Sequence, residues 1–311
     1  MNGNIAAQQP SFVLTYDVGG SHVGAGLCRL SDLSLIRTAK DSTADISTFD
    51  QFADLLYRLG VEAAAGETSI AGASLAVPGP FNHEAGISLM EHKLEYLYGK
   101  NLRSALAERF GWAPDKVCFL NDAFAYLLGE VGAGSVKGAK RAAGLTLGTG
   151  VGSGFAVNGH CLTEGEGVPP GGEIWNFPYR GGIVEDLIST RALKAAYTSR
   201  TGQDVEVAEI AARVAEEPEA REVFAAFGVA LGEVLRDVVA PFRPDMVMIG
   251  GGISRSASLF LPQAEKEVLG LGFCVVTSTL MDKAPLAGAG QFFREQKFTA
   301  PVREVVAANP I

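Results

Sequence analysis

Two glycine turns constrain this chain more than any other feature of it. Residues 14–21 read Leu-Thr-Tyr-Asp-Val-Gly-Gly-Ser, and residues 145–154 read Leu-Thr-Leu-Gly-Thr-Gly-Val-Gly-Ser-Gly. From position 14 to position 145, an offset of 131, the same device recurs: a short apolar strand running into a tight turn. Glycine lets backbone N–H groups approach an anion closely and reaches φ > 0 at no steric cost. Two such turns imply two halves gripping one polyphosphate from opposite sides. That points to nucleotide-dependent phosphoryl transfer rather than to a dinucleotide fold.

Bulk properties agree. A chain of 311 residues, 47% hydrophobic, is long enough to bury two ordinary cores, so two domains are expected. The net charge of −9 argues against a nucleic-acid partner, because duplex binding is driven by basic surfaces. Cys28, Cys118, Cys161 and Cys274 are scattered without a CxxC pair, which disfavours disulfides and metal clusters and fits a reducing compartment. The first ten residues lack the basic and apolar regions of a signal peptide. No stretch approaches the roughly 20 apolar residues that span a bilayer. A soluble, cytoplasmic protein without membrane partners is expected.

Apolar patterning predicts strands at Phe12–Tyr16, Val23–Leu30 and Leu33–Ala39, then a helix whose Phe49, Phe52, Leu56 and Leu59 share one face. Further strands are predicted at Ser69–Val77, Val117–Leu120, Met246–Ile249 and Cys274–Thr277. Helices are predicted over Asn101–Phe110, from Asn121–Asp122 through Glu130, around Phe227–Val238 ending at Pro241, and around Leu286–Glu295. Strands alternating with helices in each half indicate α/β domains with mixed sheets. The boundary is expected near Leu120 and Asn121. One lobe then comprises 1–120 with a C-terminal helix over about 286–311, and the other 121–285.

Four constellations carry the chemistry. Asp17 with Gly19, Gly20 and Ser21 supplies glycines for close approach, a hydroxyl donor, and a carboxylate to hold Mg²⁺ through water. A plain β-hairpin is the competing explanation there. Gly148, Thr149 and Gly150 open a run too rich in glycine for a structural hairpin and suited to cradling β- and γ-phosphates. Asn121–Asp122 stands where a strand gives way to a helix, a place for a base, although both residue types are also preferred helix N-caps. Gly250, Gly251 and Gly252 would let an adenine ring lie against the backbone, or would simply turn a strand into a helix. Neither GxxxxGK nor GxGxxG occurs at these turns, so a P-loop and a Rossmann site are not supported.

In order and spacing these segments resemble the ROK family of sugar kinases and repressors, within the actin-like, sugar kinase and Hsp70 ATPase superfamily. The matched segments are Asp17–Ser21, Ala76–Pro80, Leu120–Ala123, Leu147–Gly154, Gly172–Glu173, Glu185 and Ile249–Ile253, spanning residues 12 to 296. The resemblance implies two actin-like ATPase (ribonuclease H-like) domains flanking a central cleft. It implies Asp122 as catalytic base, with Asn121, Glu173 and Glu185 as sugar contacts. ATP and Mg²⁺ would be the cofactors, and a homodimer the assembly.

The departures are as informative. Zinc-containing members carry a His and a CxCGxxGC cluster after the Gly-Glu pair. Here Gly172-Glu173-Ile174 continues to Trp175-Asn176-Phe177-Pro178-Tyr179 with neither, so no zinc is expected. Trp175 is either a sugar-stacking ring or a core residue. Where members place a sugar-binding Asn, this chain reads Met90-Glu91-His92-Lys93, taken as a solvated hairpin tip that can alternatively touch substrate. His22, His83 and His160 are expected at the surface or in turns. No Lys or Arg lies at the motifs, so backbone N–H groups and Mg²⁺ are left to neutralise phosphate charge. The implied activity is ATP-dependent phosphorylation of a hexose at its 6-hydroxyl, glucokinase-like. The alternatives are an N-acetyl amino-sugar kinase and a sugar-sensing regulator. The latter is disfavoured by the 16 residues before Asp17, too few for a helix-turn-helix domain, and by the presence of Asp122.

Overall fold

The near-continuous apolar character of Phe12–Val18 and Ile70–Val77 marks strands buried on both faces. The computed structural model, which describes residues 10–91 and 93–298, places both at the centre of a sheet. The first half contains β1 (Phe12–Val18), β2 (His22–Arg29), β3 (Leu35–Ser42), α1 (Phe49–Ala64) and β4 (Ile70–Val77). A ribbon of β5 (Phe81–Asn82) and β6 (Ile87–Ser88) follows, then α2 (Leu102–Phe110) and β7 (Val117–Asn121). The second half runs through α3 (Asp122–Ala133), β8 (Arg141–Leu147), β9 (Val151–Val157) and β10 (His160–Cys161). A second ribbon, β11 (Pro178–Tyr179) and β12 (Gly182–Ile183), leads into α4 (Glu185–Ile188), α5 (Thr190–Thr201), α6 (Val207–Arg213) and α7 (Pro218–Val234). The chain closes with β13 (Met246–Gly250), α8 (Leu261–Glu267), β14 (Cys274–Thr277) and α9 (Ala284–Phe298).

The two main sheets have the same plan. One has the order β3-β2-β1-β4-β7, the other β10-β9-β8-β13-β14. In each, a hairpin is antiparallel and the two strands on its far side join in parallel. The repeat of the glycine turns is therefore a repeat of the whole sheet. Register corrects the sequence offset: Val18 pairs with Val23 and Leu147 with Val151, so Val18 corresponds to Leu147 and the equivalence slips by two residues.

Each sheet has its own core. Tyr16, Phe52, Leu75 and Phe119 belong to one, and Phe155, Phe224, Phe242 and Phe260 to the other. α1 begins in a capping box, with Thr48 and Gln51 each accepting from the other's backbone N–H, and buries Phe52, Leu55, Leu56 and Leu59. Between the sheets lie α3, packed on β8 and β9, and α9, packed on β1, β2 and β4. The two helices touch along Gly129 and Gly288, where any side chain would run into the facing backbone of Ala284 or Ala125. The C-terminal helix thus returns to the first sheet.

Several boundaries differ from expectation. The third strand starts at Leu35, because Leu33 turns the chain at φ 62. α3 continues to Ala133, and α7 passes into a π-helical turn over Leu235–Val239 before Pro241. The last helix starts at Ala284, and the part expected beyond residue 298 lies outside the described residues.

Candidate active site

A cleft of about 650 Å³ is lined by both glycine turns: Asp17, Gly19 and Ser21 from one, Gly148 and Gly150 from the other. Asp122 and Gly251 line it too. Residues from all four constellations, as far as 234 positions apart in sequence, therefore meet on one cavity.

Both turns are hairpins, so the hairpin and the phosphate cradle are not competing explanations. In the first, Gly19 N–H donates to the His22 carbonyl at 2.9 Å. Thr43 secures it twice, its N–H donating to the Ser21 carbonyl and its hydroxyl to the Gly20 carbonyl, each at 2.9 Å. In the second, Gly148 N–H donates to the Gly150 carbonyl at 3.0 Å, and Thr190 N–H to the Gly148 carbonyl at 2.8 Å. Thr149 is exposed at its tip.

Gly19 and Gly150 are there for space rather than for φ, whereas Gly20 and Gly148 have room for a Cβ. None of Gly19, Gly20, Gly148 and Gly150 has positive φ, contrary to expectation. A Cβ on Gly150 would lie 2.9 Å from Glu185 Oε2, and one on Gly152 would collide with Thr146 Oγ1. Gly251 is the exception, at φ 80 with a would-be Cβ 2.5 Å from the Leu147 carbonyl oxygen. The 250–252 loop thereby packs on the strand that leads into the second turn. Gly250 faces the Tyr126 ring, 2.6 Å from a would-be Cβ, whereas Gly252 has open space.

The Asn121–Asp122 pair divides its roles. Asn121 is the N-cap of α3: its Oδ1 accepts from Ala123 N–H at 2.9 Å and Phe124 N–H at 3.2 Å. Asp122 is the first helical residue, and its Oδ1 accepts from Ala123 N–H at 2.9 Å. Burial raises the Asp122 pKa, Lys93 opposes that rise, and Glu173 adds to it. Burial, reinforced by Asp122, pushes the Asp17 carboxyl up to about 7; Lys40 opposes the shift and Asp282 adds to it.

The two glutamates expected at the sugar are tied to the second hairpin. Ser153 on β9 accepts from Ile174 N–H at 3.1 Å and donates to the Gly172 carbonyl at 2.8 Å, fixing the backbone on both sides of Glu173. Trp175 is 41% exposed rather than a core residue, and its Nε1–H donates to Glu173 Oε2 at 2.9 Å. Glu185 Oε2 accepts from Val151 N–H at 3.1 Å, which commits one of its oxygens to the second turn.

Sequence reasoning missed several cleft residues. Lys40 and Lys283 both line the cavity although neither lies in a motif, so the site holds cationic side chains that the motifs do not contain. Thr38, Ala39 and Lys40 on β3 all line the cleft, and none belongs to a motif. His22 is exposed, as expected, and it also lines the cleft, with Nδ1 3.0 Å from Ser21 Oγ. His83 is partly buried, with Nε2 enclosed and unpartnered and its pKa lowered by burial. His160 is exposed as expected, and His92 lies outside the described residues.

A buried carboxylate supports one wall. Glu130 on α3 is wholly buried and accepts from the Ser278 hydroxyl at 2.5 Å and from Leu280 and Ser135 N–H groups at 2.8 and 2.6 Å. Burial alone would raise its pKa, but these donors outweigh it and hold the carboxyl below its ordinary value. The network extends through Ser278 to the Tyr126 hydroxyl at 3.0 Å, and that hydroxyl accepts from Gly251 N–H at 3.4 Å.

Among the described residues no group of three or more His, Cys, Asp or Glu side chains could hold a metal by itself. Mg²⁺ is ordinarily held by one or two carboxylates together with substrate phosphates, and the Asp17 carboxylate beside the first turn fits that pattern.

Comparison with known proteins follows the same outline. The ROK family model matches residues 13–296. The chain is 28% identical to the glucokinase of Thermotoga maritima, over 90% of this chain and 96% of that protein. It is 26% identical to an N-acetyl-D-glucosamine kinase of Escherichia coli, over 81% and 87%. Among solved structures, a ROK family glucokinase from Streptomyces griseus in complex with glucose and AMPPNP superposes with a TM-score of 0.75 at 21% identity, covering 91% of this chain and 99% of that one. The shared fold is a pair of actin-like ATPase domains with mixed sheets.

Proposed function

Because the chain belongs to the ROK family, we propose that it is an ATP-dependent sugar kinase that phosphorylates the primary hydroxyl of a hexose. The observation that carries this reading is the convergence of both glycine turns and Asp122 on one cleft. Asn121, Asp122, Glu173 and Glu185 hold the sugar, the last through the oxygen that the second turn leaves free. Asp122 takes the proton of the attacking hydroxyl, and its raised pKa brings it nearer the range in which a base works best. The turns at 19–21 and 148–150 hold phosphate oxygens, and Gly250–Gly252 lie against the adenine. Mg²⁺ entering with the nucleotide at Asp17 would offset phosphate charge. The lobes, 1–120 with α9 and 121–283, close over both substrates and exclude water.

The N-acetyl-D-glucosamine kinase relative keeps an amino-sugar substrate as the second reading. ADP release measured over glucose, mannose, fructose, N-acetylglucosamine and N-acetylmannosamine tests both. A single preferred hexose with the highest kcat/KM supports the first reading, and preference for an N-acetylated sugar supports the second. No sugar-dependent ADP release from any of them would overturn the kinase assignment in favour of a sensor.

A further inference from the structure

We propose that Lys40 contacts the terminal phosphate of the bound nucleotide, reaching it through a lane left open by Gly24. The inference rests on the reading of the cleft as an ATP site and adds a cation that none of the motifs contains. Strand pairing places the residues: Asp17 on β1 is opposite Gly24 on β2, and Gly24 is opposite Lys40 on β3. Directly paired residues project from the same face of a sheet, and all three line the cleft. They form one row across it.

Adjacent paired residues are about 4.5–5.5 Å apart at Cα, so Lys40 and Asp17 start roughly 10 Å apart. A lysine's flexible four-carbon stem spans much of that distance, provided the residue between them has no side chain. Nothing else in the structure demands glycine at position 24. Its φ is not positive, and an added Cβ would meet only Asp17 Cβ, at an ordinary 3.9 Å. The open lane is what glycine supplies here.

The row ends at the first phosphate turn. Gly19 follows Asp17 by two residues, and Ser42, two residues beyond Lys40, pairs with His22 at the turn's far end. The Lys40 charge already acts on Asp17, where Asp122 and Asp282 add negative potential. An entering polyphosphate meets an acidic cavity in a chain of net charge −9, and a mobile ammonium at the mouth of that turn offsets the repulsion. The second half offers no counterpart, since its third strand, β10, is only two residues long.

Calorimetric titration of wild type, Lys40→Met and Lys40→Arg with ATP, ADP and AMP in the presence of Mg²⁺ tests the assignment. Lys40→Met should weaken ATP binding about ten- to a hundredfold, as expected for loss of a charge-assisted contact. ADP and AMP should bind nearly as before, and Lys40→Arg should keep most of the ATP affinity. Gly24→Leu should block the lane and weaken ATP comparably, with no further loss in the Gly24→Leu/Lys40→Met double variant. Wild type that binds ATP no more tightly than Lys40→Met overturns the inference and leaves the kinase reading standing. Equal losses for ATP and ADP overturn the assignment to the terminal phosphate, and additive losses overturn the lane. Wild type that binds no adenine nucleotide overturns this inference and the ATP site together.

Discussion

The turn between β1 and β2 and the turn between β8 and β9 occupy equivalent places in sheets of identical order, yet they are secured by different chemistry. A hydroxyl and a backbone N–H of Thr43 hold the first, and Gly20 at its tip has nothing within 4 Å of a would-be Cβ. A carboxylate holds the second, where Glu185 accepts from Val151 N–H while Thr190 caps the Gly148 carbonyl. Glycines 150 and 152 there are hemmed in by Glu185, Thr146 and Ala123. The first turn is an open lip with Asp17 and the exposed Lys40 beside it; the second is a packed wedge bound to the elements that carry Glu173 and Glu185. One topology repeated twice is thus secured in two ways, by a threonine on one side and by a carboxylate on the other.

The largest effect is expected where the halves meet. Asp122→Asn should lower kcat by about 10² to 10⁴, the usual contribution of a positioned general base, with much smaller change in sugar KM. Because Asn121 and not Asp122 caps α3, and burial already disfavours the ionised Asp122 carboxyl, thermal stability at neutral pH should not fall. Near wild-type turnover in this variant would place the base elsewhere.

Substitution at the turns should separate wedge from lip. Gly152→Ala in the second hairpin drives a side chain into Thr146 and Ala123, and this overpacking should destabilise by about 1–3 kcal/mol. Gly20→Ala should leave the melting temperature within a degree or two, since its space is open. Equal losses in the two variants would erase the distinction between the turns.

A pH-dependent effect should mark the first turn. Folding raises the Asp17 pKa from 3.8 to about 7, so the folded state holds this proton more tightly than the unfolded chain does. That contribution is complete below about 4 and is lost as pH rises through about 7. Ligand-free Asp17→Asn should therefore match wild type or fall below it at pH 4 and exceed it at pH 8, read as melting temperature. A constant difference across that range would show that Asp17 is not strained by ionisation.

How much of this was legible in the sequence depended on whether the signal was local. Central strands, the capped helix at Phe49 and the glycine turns announce themselves within a few residues, because periodicity and turn chemistry are local. Lys40 did not, since its place in the cleft comes from pairing across β2 with a residue 23 positions earlier. The correspondence of the halves was misaligned by two residues because matching glycines is not matching register, and only the pairs Val18–Val23 and Leu147–Val151 reveal it. Glu130 was passed over for a related reason: its donors Ser278 and Leu280 lie about 150 residues away.

If the two turns grip one polyphosphate from opposite sides, a crystal structure with a non-hydrolysable ATP analogue and the preferred sugar will show it directly. Phosphate oxygens should lie within about 2.7–3.2 Å of backbone N–H groups from both the 19–21 and the 148–150 turns, with the sugar's primary hydroxyl at hydrogen-bond distance from Asp122. A polyphosphate touching only one turn, or a sugar hydroxyl held away from Asp122, would contradict the two-sided grip.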